Sequence, residues 1–163
     1  FLSGAIPHGI EKMSKLRVLD LSGNALTDSI PAGLGQLMGL QFLYLGQNRL
    51  SGVIPNFSKL TKLLELDLSH NRLVGLIPPE LGTLPLLKLS LSHNLLHGKI
   101  PKELGGALSQ LQVLDMSNNR LKGSIPNSLA FISTLRRLDL STNAIRGFPA
   151  KFIDHASLRQ LFF

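Results

Sequence analysis

The hydrophobic positions of this chain recur in a fixed phrase, in which leucines alternate with other residues before an asparagine. In the copy that begins at Leu63, leucines stand at the first, fourth and sixth positions and Asn71 at the ninth. The asparagines of the six copies are 23 to 25 residues apart, at Asn24, Asn48, Asn71, Asn94, Asn119 and Asn143. A constant period of this length is typical of a stacked-repeat protein, whose units bury their apolar faces against one another.

The Leu-x-Leu part of each phrase predicts a short β-strand, because its apolar residues have a period of two. In the first copy we expect Leu19 and Leu21 to point into the core, and Val18, Asp20 and Ser22 to point outward. Strands from successive repeats would lie about 4.8 Å apart in one parallel sheet.

A second phrase after each asparagine predicts a turn and an irregular return segment. At residues 49–55 it reads Arg-Leu-Ser-Gly-Val-Ile-Pro. Glycine permits a positive φ, and proline fixes φ in a way that suits a 3-10 or irregular segment. Apolar pairs such as Leu34 with Leu37, and Leu81 with Leu84, would close the far side of each coil.

The repeated asparagine has a predicted structural role. Backbone groups turn inward where a strand ends and lose contact with water, and a short amide offers them both donors and an acceptor. We therefore expect the six asparagines to form a ladder that satisfies backbone groups from turn to turn, and we do not assign them to a ligand site.

The repeat boundaries predict a single domain over residues 1–163. Residues 1–15 supply a partial repeat, residues 16–157 six repeats, and residues 158–163 a second partial repeat. The chain contains no cysteine. Caps are missing at both ends, where solenoids normally cover their terminal apolar layers, so we expect either that the chain is a segment of a longer protein or that neighbouring chains cover its ends. It also lacks the run of about 18 apolar residues that a membrane span requires.

Charge and motifs exclude several functional classes. The formal charge of +7 favours acidic partners. The basic residues are spread over all repeats with few aromatics among them, which argues against a nucleic-acid site. Nothing in the pattern holds a nucleophile, a base and oxyanion donors together, so we predict no enzyme activity and no cofactor.

The phrase at residues 63–78 resembles the plant-type leucine-rich repeat, whose pattern is Leu-x-x-Leu-x-Leu-x-x-Asn-x-Leu-x-Gly-x-Ile-Pro, almost letter for letter. The resemblance implies an α/β, β-rich solenoid in the form of a right-handed curved horseshoe. Its parallel sheet would line the concave face, 3-10 segments the convex face, and a second sheet the side. Two copies depart from the pattern: Asp28 replaces the glycine of one, and the copy with Gly147 lacks the isoleucine.

The resemblance also implies a non-catalytic module that binds a protein or peptide, as part of an extracellular or cell-surface receptor ectodomain. A co-receptor is a further candidate partner. Two alternatives remain open: a secreted inhibitor of a pathogen enzyme that degrades cell walls, and a structural segment within a larger assembly.

Outward positions on the predicted concave face are the candidate binding residues, because the inward ones belong to the core. Phe42 and Tyr44 form an exposed aromatic pair, and exposed aromatics are common contact anchors. The full candidate set is Phe42, Tyr44, Glu65, Asp67, His70, Lys88, His93, Val113, Asp115 and Arg137.

Basic residues predict an alternative, anionic-ligand patch in the C-terminal half of the concave face. It would comprise Lys88, Arg136, Arg137 and Arg159. Asp139 lies two residues beyond Arg137, and we expect it to neutralise that guanidinium locally.

The histidines and serines of the phrase suggest further sites. His70 and His93 share one repeat position, so their rings should stack, but zinc needs more ligands and the next residue of that column is Asn118. A serine column, at Ser22, Ser69, Ser92, Ser117 and Ser141, suggests ice binding, although Gly46 interrupts it and curvature opposes a flat match. Asn56 begins a glycosylation sequon, Asn-Phe-Ser, on a return segment.

Overall fold

The computed structural model describes residues 1–106 and 110–163 as a stack of turns, each of which adds one strand to a continuous parallel sheet. Neighbouring strands pair in register with their central leucines aligned, as Leu43 is with Leu66 and Leu66 with Leu89. The strands of this sheet in the described residues are Val18–Asp20, Phe42–Tyr44, Glu65–Asp67, Lys88–Ser90, Val113–Asp115, Arg137–Asp139 and Gln160–Phe162.

The central leucine of each strand points into the core. Leu43, Leu66 and Leu89 are completely buried, which confirms the predicted alternation. Leu19, in the first strand of this sheet, is only half-buried, because a neighbouring strand lies on only one side of it. The core continues through the whole stack from Ile6 to Phe152.

Short 3-10 segments close the opposite side of each coil. Each of the later ones follows a proline whose φ lies near −62° to −68°, and buries a leucine or a phenylalanine. They lie opposite the parallel sheet, which lines the concave face of the solenoid. The segments are Ile10–Lys12, Ala32–Gln36, Pro79–Thr83, Lys102–Gly105, Asn127–Phe131 and Ala150–Phe152.

Glycine allows neighbouring 3-10 segments to approach closely. A Cβ on Gly82 would lie 2.3 Å from the carbonyl oxygen of Glu103, and a Cβ on Gly105 would lie 2.2 Å from the carbonyl carbon of Ser128. Any side chain at these positions would therefore force the backbones of two turns apart.

A second, lateral set of strands follows the asparagines, as the resemblance implied. Ser3–Ala5 pairs with Ala25–Thr27, and His97–Gly98, Arg120–Gly123 and Ala144–Ile145 form a three-stranded sheet in the described residues. Isolated bridges between Ser29 and Ser51, and between Val53 and Val74, continue this edge across the middle repeats. Among the residues described, no helix has the length and hydropathy needed to cross a membrane.

The asparagine ladder is present as predicted. The side-chain amide of Asn94 donates to the carbonyl oxygens of Leu68, Leu91 and Ser92 at 2.9, 3.2 and 3.2 Å, and its Oδ1 accepts the N–H of Leu73 at 2.9 Å. Each interior asparagine therefore joins its own turn to the preceding one. The same pattern recurs at Asn48, Asn71, Asn119 and Asn143.

The residue before each asparagine adopts the left-handed backbone conformation, which the repeat pattern did not predict. The φ values at these positions range from 53° to 65°. This conformation turns the chain sharply after the strand, so that the asparagine can point inward. The occupants are Gly23, Gln47, His70, His93, Asn118 and Thr142.

Asp28 has φ 64°, in the position where other repeats carry a glycine with φ of 74° to 89°. The fold thus keeps the same turn at this departure from the pattern. An L-residue is strained in this region by about 1–2 kcal/mol, although aspartate tolerates it better than most residues do.

Replacing Asn94 by alanine should lower the free energy of unfolding by about 2–4 kcal/mol, because a buried N–H and several buried carbonyls lose their partner. Equilibrium urea denaturation measures the change. Asn127→Ala is the matched control: this asparagine is exposed, and its loss should cost less than about 0.5 kcal/mol. Equal effects in the two variants would contradict a stabilising ladder.

Replacing Asp28 by glycine should raise the free energy of unfolding by about 0.5–1 kcal/mol, because glycine adopts a positive φ without strain. Asp28→Ala serves as the control, since it removes the same carboxylate but keeps a Cβ, and it should give no such gain. The same urea titration compares the two variants. A gain with alanine as large as with glycine would assign the effect to the lost charge.

Candidate ligand-binding surface

The outward residues of the concave strands form two parallel columns, which together we call the concave surface. The first column contains Val18, Phe42, Glu65, Lys88, Val113, Arg137 and Gln160, and the second contains Asp20, Tyr44, Asp67, Ser90, Asp115, Asp139 and Phe162. Members of one column are cross-strand neighbours, so their Cα atoms are separated by about one strand spacing of 4.8 Å.

Phe42 and Tyr44 are neighbours on this surface, as predicted from the sequence. Their ring centroids are 6.4 Å apart and the rings are tilted by 31°. Both side chains are half-buried. The Tyr44 hydroxyl donates a hydrogen bond to Glu65 Oε2 at 2.8 Å. The tyrosine ring is thus held in one orientation, with an apolar neighbour on one side and a carboxylate on the other.

The surroundings of Tyr44 favour its neutral phenol. Burial, followed by the hydrogen bond to Glu65 and the negative charges of Glu65, Asp20 and Asp67, raises the pKa of Tyr44 to about 12 from an ordinary value of 10.0. The folded-state pKa is higher than that of the unfolded chain. The stabilisation from this site is therefore complete below about pH 10 and is lost as the pH rises through 12.

The aspartates of the second column have a structural task at the end of each strand. Asp115 Oδ1 accepts the N–H of Ser117 at 3.0 Å and its hydroxyl at 2.8 Å. Asp67 likewise accepts the N–H of Ser69 at 2.9 Å. One carboxylate oxygen of each of these candidate residues is therefore used by the turn.

The first of these aspartates shows the electrostatic consequence of the turn. Hydrogen bonds from the hydroxyl of Ser22, and then from its backbone N–H, hold the pKa of Asp20 below its usual value. The turn thus favours the charged carboxylate.

Arg137 is engaged by its own neighbours. Its Nη2 lies 3.2 Å from Asp139 Oδ2, and its Nη1 donates to Gln160 Oε1 at 3.3 Å. The guanidinium carbon also lies 5.2 Å from the centroid of the Phe162 ring. This arrangement confirms the predicted neutralisation by Asp139 and leaves Arg137 less available to an anionic ligand.

Lys88 and Val113 occupy the middle of the first column. Lys88 lies between Glu65 and Val113 in the strand register, and both Lys88 and Val113 are half-buried. The centre of the concave surface therefore combines a cation with an apolar side chain.

His70 and His93 lie outside the concave strands, on the turn three residues beyond Asp67 and Ser90. Their rings stack with centroids 4.0 Å apart and an interplanar angle of 13°, which confirms the predicted stacking. Asn118 Nδ2 approaches His93 Nε2 at 3.3 Å. Within residues 1–106 and 110–163, no third residue with metal-ligand chemistry joins the two imidazoles.

The sequence predicted that the serine column faces solvent, and this prediction is wrong for the middle of the column. Ser69, Ser92 and Ser117 are only 8%, 4% and 5% exposed, because the chain turns sharply after the strand and the adjacent repeats cover this position. Gly46, which interrupts the column, is also buried: a Cβ there would lie 3.1 Å from Asp67 Oδ1. A regular row of exposed hydroxyls, which ice binding would need, is therefore absent from the middle of this column.

Two other features lie outside the concave strands. Asn56 is exposed on the return segment, and its Oδ1 accepts the N–H of Ser58 at 2.8 Å.

A basic groove around Gly39 is formed by Lys15, Arg17 and Lys62. The sequence analysis had treated these three residues only as part of the basic charge that is spread over all repeats. The sequence does contain a signal for this groove: Lys15, Gly39 and Lys62 share one repeat position, and the glycine lies between the two lysines.

Comparisons with known proteins agree with this architecture. A family model described as leucine rich repeat matches residues 3–50 and 86–145, and a second, described as leucine rich repeats in two copies, matches residues 39–81. The chain therefore belongs to the leucine-rich repeat family.

Two of the similar proteins are a receptor and a receptor-like protein of a plant. Phytosulfokine receptor 1 of Arabidopsis thaliana is 46% identical over 54 residues, which cover 33% of this chain and 5% of the receptor. Receptor-like protein 31 of the same plant is 44% identical over 66 residues, or 39% of this chain and 8% of that protein. The chain thus matches only a small part of the length of these relatives.

Solved structures show the same fold over nearly the whole chain. The ectodomain of the receptor kinase GASSHO1/SCHENGEN3 from Arabidopsis thaliana, in complex with CASPARIAN STRIP INTEGRITY FACTOR 2, superposes with a TM-score of 0.96 at 41% identity. It covers 99% of this chain, which spans 20% of that ectodomain. The peptide hormone receptor RGFR1, in complex with RGF2, gives 0.95 at 37% identity, with coverages of 99% and 26%. These matches confirm the curved repeat solenoid.

Removing the charge of Glu65 should lower the pKa of Tyr44, since both the hydrogen bond to the carboxylate and its negative charge raise that pKa. We expect a Glu65→Gln variant to titrate below 12 but above 10.0, because burial remains. The ultraviolet absorbance of the phenolate measures this directly, since the chain has one tyrosine and no tryptophan. Circular dichroism at each pH confirms that the chain is folded, and an unchanged midpoint would contradict the coupling.

Proposed function

We propose that this chain is a peptide- or protein-binding segment of an extracellular plant-type receptor ectodomain, and that it recognises its ligand on the concave surface. The observation that carries the proposal is the aromatic pair of Phe42 and Tyr44, held in place by the hydrogen bond to Glu65. The resemblance in fold to ectodomains solved with bound peptide ligands supports the same interpretation.

A rigid aromatic pair suits ligand recognition for a physical reason. Aromatic rings offer a large contact area, and a ring already fixed in orientation loses little conformational entropy on binding. Phe42 would contact apolar side chains of the ligand. Tyr44, whose hydroxyl donates its hydrogen bond to Glu65, keeps an oxygen lone pair that would accept a ligand N–H.

The other candidate residues would extend the contact along the sheet and its rim. Lys88 and Val113 would contact the ligand in the middle of the concave surface. Asp67 and Asp115 would offer the carboxylate oxygen that the turn does not use. Arg137 would contribute mainly through its planar face, because its charge is partly satisfied by Asp139.

His70 and His93 would contact a ligand that reaches over the rim of the sheet. A glycan on Asn56 would project from the return segment and leave the concave surface open. In this proposal residues 1–163 form one repeat domain within a longer protein. A co-receptor would be a second partner, as in the solved complex of the receptor kinase HAESA with the hormone IDA and the co-receptor SERK1.

The binding surface can be tested even though the natural ligand is unidentified. Peptides would be selected from a displayed random library on the wild-type chain, and their dissociation constants would be measured for wild type and for Phe42→Ala/Tyr44→Ala. Loss of two anchors should cost about 2 kcal/mol or more, which is about thirtyfold in Kd.

The matched control is Val53→Ala/Leu76→Ala, which removes two exposed apolar side chains from the lateral edge. It should change Kd by less than about twofold, since contacts outside the interface contribute little. Equal losses in both double variants, or none in either, would show that the selected peptides do not bind at the aromatic pair.

Mass spectrometry of the secreted protein would report whether Asn56 carries a glycan.

A further inference from the structure

A polar groove lies beside the concave surface, where the first strands begin. It has a volume of about 410 Å³ and is lined by Ser14, Lys15, Arg17, Gly39, Gln41 and Lys62. Its lining thus combines two ammonium groups, one guanidinium, an amide and a hydroxyl, and includes no carboxylate among the residues described.

The repeat register explains why this groove is open. Lys15, Gly39 and Lys62 occupy the same position in three successive repeats, directly before the first leucine of each. Since successive strands lie about 4.8 Å apart, the backbones of the two lysines are separated by about 10 Å. Gly39, between them, has no side chain to fill the gap. The opening suits one compact anionic group held from both sides.

Among the described residues, none of the three groove cations forms an ion pair within 4.0 Å; the ion pair that is observed joins Arg137 and Asp139, in a later repeat. Asp20 is the first acidic residue after Arg17 in the sequence, and Glu65 is the first after Lys62. Their carboxylates accept hydrogen bonds from Ser22 and Tyr44, respectively. The groove cations therefore lack the close ion pair that Arg137 forms with Asp139.

The groove is continuous with the concave surface. Arg17 and Gln41 directly precede the outward strand residues Val18 and Phe42, and the Gln41 N–H donates to the Arg17 carbonyl at 2.8 Å where pairing of the two strands begins. A peptide that contacts Phe42 can thus reach the groove with its next few residues.

We propose that this groove binds an oxyanion of the peptide ligand, namely an acidic side chain close in sequence to the residue that contacts Phe42 and Tyr44. The inference rests on the proposed function and specifies the chemistry of the ligand. Arg17 would bind the carboxylate in a planar, bidentate manner, and Lys15 and Lys62 would add point charges. Because the groove is open to solvent, binding should weaken as salt is added.

The test uses acetylated hexaglutamate as the probe, with backbone amide shifts of the labelled chain followed by NMR. We expect saturable shifts at Lys15, Gly39 and Lys62, and loss of affinity between low and physiological salt. Lys15→Gln/Lys62→Gln should weaken binding by about tenfold, and Lys99→Gln/Lys122→Gln, which removes the same charge from exposed lateral positions, by less than about twofold. Equal weakening in the two variants would reduce the effect to net charge and overturn the proposal.

Gly39 permits a sharper test inside the groove. Its φ is not positive, and a Cβ there would meet the Leu16 carbonyl at an ordinary distance of 3.4 Å, so a side chain is accommodated. Gly39→Asp places a carboxylate between the two lysines and should abolish hexaglutamate binding. Gly39→Asn, which has nearly the same shape without the charge, should retain most of it. Loss of binding in both variants would mean that the gap, and not its charge, holds the probe, and would overturn the proposal.

Two further arms identify the source of the anion and separate this inference from the proposed function. Inorganic sulfate or an acidic oligouronate that shifts Gly39 more strongly than hexaglutamate does would overturn assignment to a peptide. Library-selected peptides should perturb both Tyr44 fluorescence and the Gly39 amide. A change at Tyr44 without one at Gly39 would overturn the groove alone, and a change at Gly39 without one at Tyr44 would overturn the aromatic anchor.

Discussion

Every turn of this solenoid depends on one asparagine side chain that bonds the backbone of two repeats at once. Each interior amide donates to carbonyls of its own strand end and of the preceding turn, and its oxygen accepts an N–H from that turn, as at Asn94. To bring the amide inward, the preceding residue adopts a positive φ in every copy. The ladder therefore sets the register of the strands, and the register decides which side chains become neighbours on the concave surface.

Many polar groups of the concave surface already have partners within the chain. Asp67 and Asp115 close the turns after their strands, and Arg137 is held by Asp139 and Gln160. Tyr44 is fixed by Glu65 in the same way. Few side chains would have to be ordered on binding, so the free energy of ligand contacts is less offset by lost entropy. The basic groove around Gly39 differs, since its cations form no ion pair within the described residues.

Neighbouring repeats also changed the expected role of several residues. Ser69, Ser92 and Ser117 alternate with core leucines and were expected to face outward, yet adjacent turns bury them. His70 and His93 were assigned to the concave face, and the sharp turn places them three residues beyond the ends of their strands, at the rim of the sheet. A period-two pattern describes direction only while the chain stays extended, and here the strands end after three residues.

The coil, its period, the inward leucines and the structural role of the asparagines were all predictable from the residues alone, because they depend on patterns that repeat locally. Phe42 and Tyr44 were also identified in this way, since they break an otherwise regular pair of columns. The hydrogen bond from Tyr44 to Glu65, the contacts of Arg137 with Gln160 and Phe162, and the opening beside Gly39 became visible only in the folded chain. Each joins residues of different repeats, and the repeat pattern does not encode how far an individual side chain reaches toward the next repeat.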